Sequence, residues 1–386
     1  MVLNYTEAPL IPRPRNTPAL CVLVSSDPVL RDTAAASLTL TSPGVAVVRH
    51  DLLPDAGALR RVVVDATGVV EEVTVGLAHP CVSCSVREDA VPTLARLAAA
   101  GRWTDLVLAL PVTAEPLPVA RALSAHASPG EMLDGLRLTA TVAVVDLDQV
   151  EADLLGDDLV DERGLALTDT DERPLGEALA AQLEQVDVVV TTGDDPTGDG
   201  LTDRLRARDS RRIDGLHELD VAALATHRHD SAAAEGRAHP LGARDARRDP
   251  TNPHDRSWSL LLKSPRPFHP ERLLAHIEHL GTGPVRSRGV FHVPDRPDSL
   301  CLWDGAGGAL CVADLGTWQE VAAGRPPVTR ILVVGAGEPA ESEKVRDLIL
   351  DAFGESLATG AEVDDGGLHW LGREDVLAPW LGARAV

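Results

Sequence analysis

The feature that most narrowly limits this chain is a series of short runs, within residues 19–192, in which apolar residues follow one another instead of alternating with polar ones. ALCVLV (19–24), VAVV (45–48), RVVVDATGVVEEVTV (61–75), DLVLALPV (105–112), LTATVAVVD (138–146) and VDVVVTT (186–192) read as strands, and several are too continuously apolar to leave one face wet. A strand buried on both faces needs helices above and below it, which is the condition of strands in parallel sheets. Helical patterns separate the runs, so this part of the chain predicts an α/β domain with a mostly parallel sheet. At 386 residues, 44% of them hydrophobic, the chain has room for a second domain. No apolar run approaches the ~18 residues of a membrane-spanning helix. The first 20 residues also lack the basic-then-apolar layout of a signal peptide. The expectation is a soluble, cytoplasmic protein that does not engage membranes.

Two stretches interrupt the alternation. Between Asp146 and Arg173 stand eleven acids and two arginines, the composition of a solvated acidic flap. From Leu216 to Asp255 the chain turns rich in Ala, Arg, Asp and Pro and carries His217, His227, His229, His239 and His254. Residues 216–257 read as a linker closing a first domain of residues 1–215. His227-x-His229 would place two rings on one side of an extended segment. The irregular spacing and the interleaved Arg228, Arg237, Arg244, Arg247 and Arg248 favour a solvated loop over a metal reservoir.

From Trp258 the pattern resumes with the strand SWSLLLKS, a helix opening at PFHPERLLAHIEHL, the strands VRSRGVFHV, SLCLWD and ALCVAD, then RILVVGAG and the helix ESEKVRDLILDAF. Antiparallel strands with two helices on one face predict a compact α+β domain over 258–354. Residues 355–386 are acidic, hold Trp370 and Trp380, and read as a loosely packed tail. His269 beside Pro270 belongs to a helix start and has a cap or packing role, and Cys301 and Cys311 lie among apolar residues as core thiols.

Charge narrows the partners. With 36 basic and 59 acidic residues the net charge is −23, and the basic residues do not cluster along the sequence. Such a chain repels phosphate backbones, so the expected partner is a protein and not a nucleic acid. Only Lys263 and Lys344 are lysines, which leaves the first 262 residues without one.

The one close cysteine pair is Cys81 and Cys84, in the segment His79-Pro80-Cys81-Val82-Ser83-Cys84-Ser85-Val86-Arg87. It lies between a strand and a helix over Val86–Ala100, in which Val91, Leu94 and Leu97 fall at helical spacing. Thiolates at a helix start are stabilised by the aligned peptide dipoles and suit metal or redox work. Two of them make half of a tetrahedral zinc site, and His79 offers a third ligand. The spacing alone equally admits two partly buried cysteines with no ligand.

Around this pair the chain resembles the CobW-like metal-handling G proteins. Their hallmark is a Cys-x-Cys-Cys hairpin after the third strand, an Arg three residues on, then a helix and a strand leading to a Glu-x-x-Gly-x-x-x-Pro-like switch. Here stand Cys81, Ser83, Cys84 and Arg87, followed by Asp105-Leu-Val-Leu-Ala and Ala114-Glu115-Pro116. Arg266-Pro-Phe-His269-Pro-Glu-Arg272, Val285-Arg-Ser-Arg-Gly289 and the closing Gly316 to Trp318 look like that family's C-terminal domain. Separated motifs in the right order, over residues 19 to about 353, make the resemblance specific. It implies a P-loop G domain followed by a small α+β domain, a zinc site, and GTP with magnesium. By the same resemblance His50 stands near the place of an acidic residue beside the metal hairpin, so that His50, His79, Cys81 and Cys84 would complete an N₂S₂ set; a surface histidine is the other reading.

A P-loop closes glycine N–H groups around a phosphate, neutralises it with a lysine, and holds magnesium on a Ser/Thr. Here the strand is followed by Ser25-Ser26-Asp27-Pro28-Val29-Leu30-Arg31-Asp32. No glycine remains, Pro28 lacks an N–H, and Asp27 and Asp32 bring negative charge to the phosphate's place. Arg31 is the candidate for the lysine's role, although a planar guanidinium does not mimic a compact ammonium. Ala109 stands for the family's switch glutamate and Val112 for its glycine. Of the guanine-reading Asn-Lys-x-Asp only Asp194 survives, in Thr191-Thr192-Gly193-Asp194. The nucleotide site is therefore expected to be degenerate, with Arg31, Asp32 and Asp194 as its remnants, no catalytic residue, and no working GTP hydrolysis.

Within the family, the Cys-Val-Ser-Cys pair, the weakened P-loop and the Arg-Pro-Phe-His-Pro motif resemble a branch tied to zinc starvation, whose best-known type recruits a hibernation factor to ribosomes. The resemblance implies a zinc-responsive adaptor or metallochaperone-like protein acting on such a factor or on a zinc-dependent client. The alternative is an active GTP-dependent zinc metallochaperone, with hydrolysis coupled to zinc transfer.

Overall fold

The computed structural model describes residues 18–242, 252–364, 368–370 and 372–383. The strands β1 (Ala19–Val24), β2 (Val45–Leu53), β3 (Ala58–Asp65), β4 (Gly68–Gly76), β5 (Asp105–Ala109), β6 (Arg137–Asp146), β7 (Val188–Thr192) and β8 (Arg211–Asp214) form one sheet. Its order is β4-β3-β2-β5-β1-β6-β7-β8. Strands β2, β5, β1, β6, β7 and β8 run parallel, and β3 and β4 return antiparallel at one edge. The expected α/β class is what the chain adopts. Strand β1 shows why its sequence is apolar throughout: Leu20, Val22 and Val24 enter the core on one side of the sheet, and Cys21 and Leu23 enter the core on the other.

Three regions differ from expectation. The run 61–75 is not one strand but a hairpin, because Asp65 Oδ1 accepts from the Thr67 amide (2.8 Å) and hydroxyl (2.6 Å) and Gly68 turns the chain with φ +111. The acidic stretch 146–173 is only partly a flap. Its first third is the helix Leu147–Leu155, which buries Leu147, Val150, Leu154 and Leu155. The remainder is loop, where Arg163 holds Asp158 and Arg173 holds Asp171 and Glu115. The stretch expected as a linker carries the helices Val221–Thr226 and Ser231–Ala238, capped by Asp220 and Asp230, and Leu219, Val221 and Leu224 join the main sheet's core. Arg244, Arg247 and Arg248 lie outside the described residues.

The second sheet consists of β9 (Ser257–Ser264), β10 (Val285–Val293), β11 (Arg296–Ala306), β12 (Ala309–Thr317) and β13 (Thr329–Ala336), in the order β12-β11-β10-β13-β9 and antiparallel throughout. The helices Pro270–Gly281 and Pro339–Ser356 contribute Leu273, Leu280, Ile349 and Phe353 to a core around Phe268, Phe291 and Trp303. The tail is more firmly held than its composition suggested, since Leu377 and Leu381 enter that core and Trp370 packs edge-on against His269.

Leu332 and Val334 of β13 share a core with Leu183, Leu201 and Leu205, joining the two sheets. Beside them the buried carboxylate of Glu184 accepts from Arg286 (2.9 and 3.0 Å) and Arg288 (2.8 Å). Burial alone would raise the Glu184 pKa, but these two guanidiniums hold it below the ordinary value.

His292 on β10 generates a prediction. Burial pushes its imidazole down to about 4. The unfolded chain takes up this proton near pH 6.5 and the folded chain does not, so the stabilisation is complete above pH 6.5 and fades as pH falls toward 4. Urea unfolding should show wild type losing on the order of 2 kcal/mol more than His292→Gln between pH 7 and pH 5. Equal losses in the two proteins would contradict this.

Candidate metal centre and nucleotide edge

After β4 the chain turns through 77–80 and enters a continuous helical stretch: Val82–Ser85, a π turn over Val86–Ala90, and Val91–Ala99. The helix begins between the two cysteines, earlier than the expected Val86. Cys81 is its N-cap, with extended backbone and its Sγ accepting the Cys84 amide at 3.4 Å, as a serine or aspartate oxygen would.

His79 is exposed and Cys81 and Cys84 are half-buried, and one donor atom from each lies within 4.8 Å of the others. Burial pushes the Cys81 thiol up, but the Cys84 amide and His79 outweigh it and hold it below the usual thiol value. Cys84 is raised, first by its hydrogen bond to Cys81 and then by burial. The two thiols are thus shifted in opposite directions, and Arg87 Nη2 lies 3.5 Å from the Cys84 sulfur. Ligands about 2.0–2.3 Å from a tetrahedral zinc lie roughly 3.3–3.8 Å from one another. Small side-chain rotations bring the three donors to that spacing, so the residues fit zinc and leave a fourth position open.

His50 does not join this set. Strand β2 continues to Leu53, past the expected end at Val48, and pairs His50 with Arg61 inside the sheet. The imidazole is fully buried, with Nε2 2.9 Å from Asp89 Oδ1. Asp89 is the residue that sequence reasoning missed. The π turn coincides with its placement inward, where it also receives Arg61, which binds Glu71, which in turn binds Arg96 at 2.8 Å. This chain of charges fastens the helix that carries Cys81 and Cys84 to β2, β3 and β4. The only local signal was an acid inside an apolar helical pattern. Along the other side of the helix runs a groove of about 630 Å³, bounded by Cys81, Val82, Val86, Val119, Leu167 and Arg173.

The linker histidines do not converge. His229 is buried with Nδ1 2.8 Å from Asp187, His239 lies 3.1 Å from the Val321 carbonyl, and His217 and His227 are exposed.

Arg31, Asp32 and Asp194, the residues expected at a nucleotide site, lie at the C-terminal ends of the parallel strands, where α/β sheets bind ligands. Asp27 Oδ1 accepts the amides of Val29 (2.6 Å) and Leu30 (2.9 Å), so the N–H groups at the start of helix Pro28–Thr41 are already taken. The cavity bounded by Ser25, Ser26 and Asp27 measures about 10 Å³, space for roughly one water. Arg31 does not stand in for a lysine. Its guanidinium is buried and donates to the carbonyls of His50 (3.3 Å) and Leu110 (3.1 Å), to Asp51 (2.7 Å) and to Asp32 (3.0 Å). Asp32 is shared with Arg49 at 2.8 Å. Asp194 belongs to a different cluster, where its amide donates to Asp148 Oδ1 at 3.0 Å. Gly193 has φ +76, and a Cβ there would meet Asp146 and Asp148 at 2.7 Å. A cavity of about 560 Å³ opens beside Thr192, Asp194, Arg212 and Asp214.

Residues 48–217 match the family described as the CobW/HypB/UreG nucleotide-binding domain, and residues 257–352 match the cobalamin synthesis protein cobW C-terminal domain. The first match begins beyond the turn that follows β1. The zinc chaperone Rv0106 of Mycobacterium tuberculosis (strain H37Rv) is 29% identical over 308 residues, covering 77% of this chain and 73% of that protein. Zinc-regulated GTPase metalloprotein activator 1 of Dictyostelium discoideum is 27% identical over 276 residues, covering 66% and 56%. Zn(II)-bound YjiA GTPase from E. coli aligns over 87% of this chain and 99% of its own, at 12% identity and a TM-score of 0.34. Among the described residues no helix is long and apolar enough to cross a membrane.

The placement of His50 can be tested directly. His50→Ala should cost on the order of 2 kcal/mol by opening a cavity where a fully buried side chain stood. It should leave bound zinc per chain unchanged by elemental analysis. Zinc lost in a variant that remains folded would return His50 to the ligand set.

Proposed function

We propose that this chain, which joins a CobW/HypB/UreG nucleotide-binding domain to a CobW C-terminal domain, handles zinc at His79, Cys81 and Cys84 as a metallochaperone-like, zinc-responsive adaptor, and that it works through a protein partner without a functioning nucleotide switch. The observation that carries this reading is the convergence of three soft donors within 4.8 Å at the mouth of the groove beside Cys81. A structural zinc site is closed by four protein ligands, whereas three leave a position at which a donor from a client can enter. Cys81, whose thiol the Cys84 amide and His79 hold below the usual value against the effect of burial, supplies the first sulfur ligand. Cys84 gives up its proton as the second sulfur ligand. The groove beside them places a bound protein segment next to the metal.

The phosphate site supports the second half of the reading. Asp27 occupies the helix start, Arg31 is consumed by strand ends, and about 10 Å³ of cavity admits no phosphate. The acids of the loop after helix Leu147–Leu155 would steer a basic partner over roughly a Debye length, ~8 Å at physiological salt. The branch that the sequence resembles makes a ribosome hibernation factor the first partner to try, with a zinc-dependent client protein as the other. A GTP-dependent zinc chaperone is the second reading, and the 560 Å³ cavity beside Asp194 favours it.

Elemental analysis and calorimetry on the same samples separate the two. The wild-type chain should carry one zinc, Cys81→Ser/Cys84→Ser should lose most of it, and His79→Ala should weaken it less. GTP with magnesium should show no saturable site at micromolar concentration and should not alter zinc retention. Stoichiometric zinc in the double-serine variant would overturn the metal assignment. Micromolar GTP affinity would establish the second reading.

A further inference from the structure

Glu88 lies in the π turn Val86–Ala90, four residues after Cys84, so the two side chains share a face of the helical stretch. Its carboxylate reaches back to the turn that precedes the helix, where Oε2 accepts the Ala78 amide at 3.3 Å, one residue from His79. The other oxygen, Oε1, accepts from Arg87 Nη2 at 2.8 Å. That same nitrogen lies 3.5 Å from Cys84 Sγ. One guanidinium nitrogen thus bridges the sulfur of a zinc ligand and a carboxylate that the zinc-handling reading leaves unused.

Carboxylate and sulfur also act on each other. Arg87 first and the Ala78 amide next hold the Glu88 carboxylate below its ordinary value, and the Cys84 thiol adds to them. In return Glu88 is among the groups that raise Cys84, behind its hydrogen bond to Cys81, burial and the charge of Cys81. A cation between the two relieves both, and in the metal-free chain Arg87 supplies it. Glu88 and Arg87 are exposed, so packing does not fix either of them. The carboxylate stands outside the 4.8 Å cluster of His79, Cys81 and Cys84. Because Cys84 and Glu88 are already neighbours on the helix, side-chain torsion is what joins it to that cluster.

We infer that Glu88 is the fourth ligand of the zinc-loaded site, filling the position that His79, Cys81 and Cys84 leave open, and that Arg87 holds this carboxylate beside Cys84 until metal arrives. The inference rests on the reading of those three residues as a zinc-handling site. On loading, Cys84 releases its proton to solvent, Arg87 lets go of the sulfur and the carboxylate, and the guanidinium is replaced by the metal as their shared cation. Zinc favours thiolate and imidazole, and a carboxylate oxygen is the hardest donor of the four, so Glu88 is the ligand most readily exchanged. A client that offers a cysteine or histidine therefore displaces Glu88, and one that offers only carboxylates does not.

The test compares full-length wild type with Glu88→Gln, which keeps an acceptor for the Ala78 amide and removes the charged ligand. Glu72→Gln, which takes the same charge from an exposed position on β4, is the control. In competition with a chromogenic chelator, Glu88→Gln should hold its zinc about tenfold more weakly while still binding one ion, and Glu72→Gln should match wild type. With cobalt in place of zinc, the visible d–d bands should shift in Glu88→Gln alone. N-acetylcysteine added to the cobalt-loaded wild type should raise the sulfur-to-metal charge-transfer absorption, and acetate should not. Wild-type zinc affinity and cobalt bands in Glu88→Gln, equal weakening by Glu72→Gln, or no response to N-acetylcysteine would overturn the inference and leave the zinc-handling reading standing. Zinc retained by Cys81→Ser/Cys84→Ser would instead remove the reading on which it rests.

Discussion

Everything in this molecule is arranged around the two-sided burial of β1. Its six residues are all buried, with alternate side chains feeding two separate cores, so helices must cover both faces and the neighbouring strands must run parallel. That constraint sends the turns after β1, β5, β6 and β7 to one edge of the sheet and the segments leading into β7 and β8 to the other. One edge accordingly holds the turn after β1 with Asp27 and the start of helix Pro28–Thr41, and the other holds a cleft against the second domain. The segment that carries Cys81 and Cys84 lies at the first of these, because β4 runs parallel to β2 and its last residue, Gly76, is level with Leu53 across Ala58. It follows the antiparallel pair β3 and β4, which extends the sheet beyond its helical cover.

Charges inside the structure are placed in pairs and chains. Arg31, Glu184, Asp89 and Asp187 are each buried, and each faces partners from distant parts of the sequence. Removing one member of such a set strands the other in a medium that solvates it poorly. Two of these sets have a positional consequence. The line from His50 through Asp89, Arg61 and Glu71 fixes the helix that carries Cys81 and Cys84, and Arg31 ties the ends of β2 and β5 together.

The parts of this architecture that depend on local pattern were legible in the sequence. The continuous apolar runs pointed to the parallel sheet, which the structure forms. The His79-Cys81-Cys84 grouping was legible because all its members lie within six residues of one another. What escaped depended on pairing across the chain. Strand β2 outruns its apolar segment because β3 pairs with it through RHDLL, and this alone moves His50 from a ligand position into the sheet. Asp89 reads locally as a surface acid and is buried only because His50 and Arg61 meet it. The helices of 216–242 were hidden by alanine, whose small side chain packs in a core without giving a strong apolar pattern, and by aspartates that act as caps.

The most direct measurement is zinc K-edge X-ray absorption of the zinc-loaded protein, recorded with and without GTP and magnesium. Two sulfur ligands at about 2.3 Å with at least one imidazole nitrogen at about 2.0 Å, in a spectrum that nucleotide does not alter, are the expected result. A shell of nitrogen and oxygen alone, or a sulfur count that changes when GTP is added, would contradict a zinc site built on Cys81 and Cys84 that operates without a nucleotide switch.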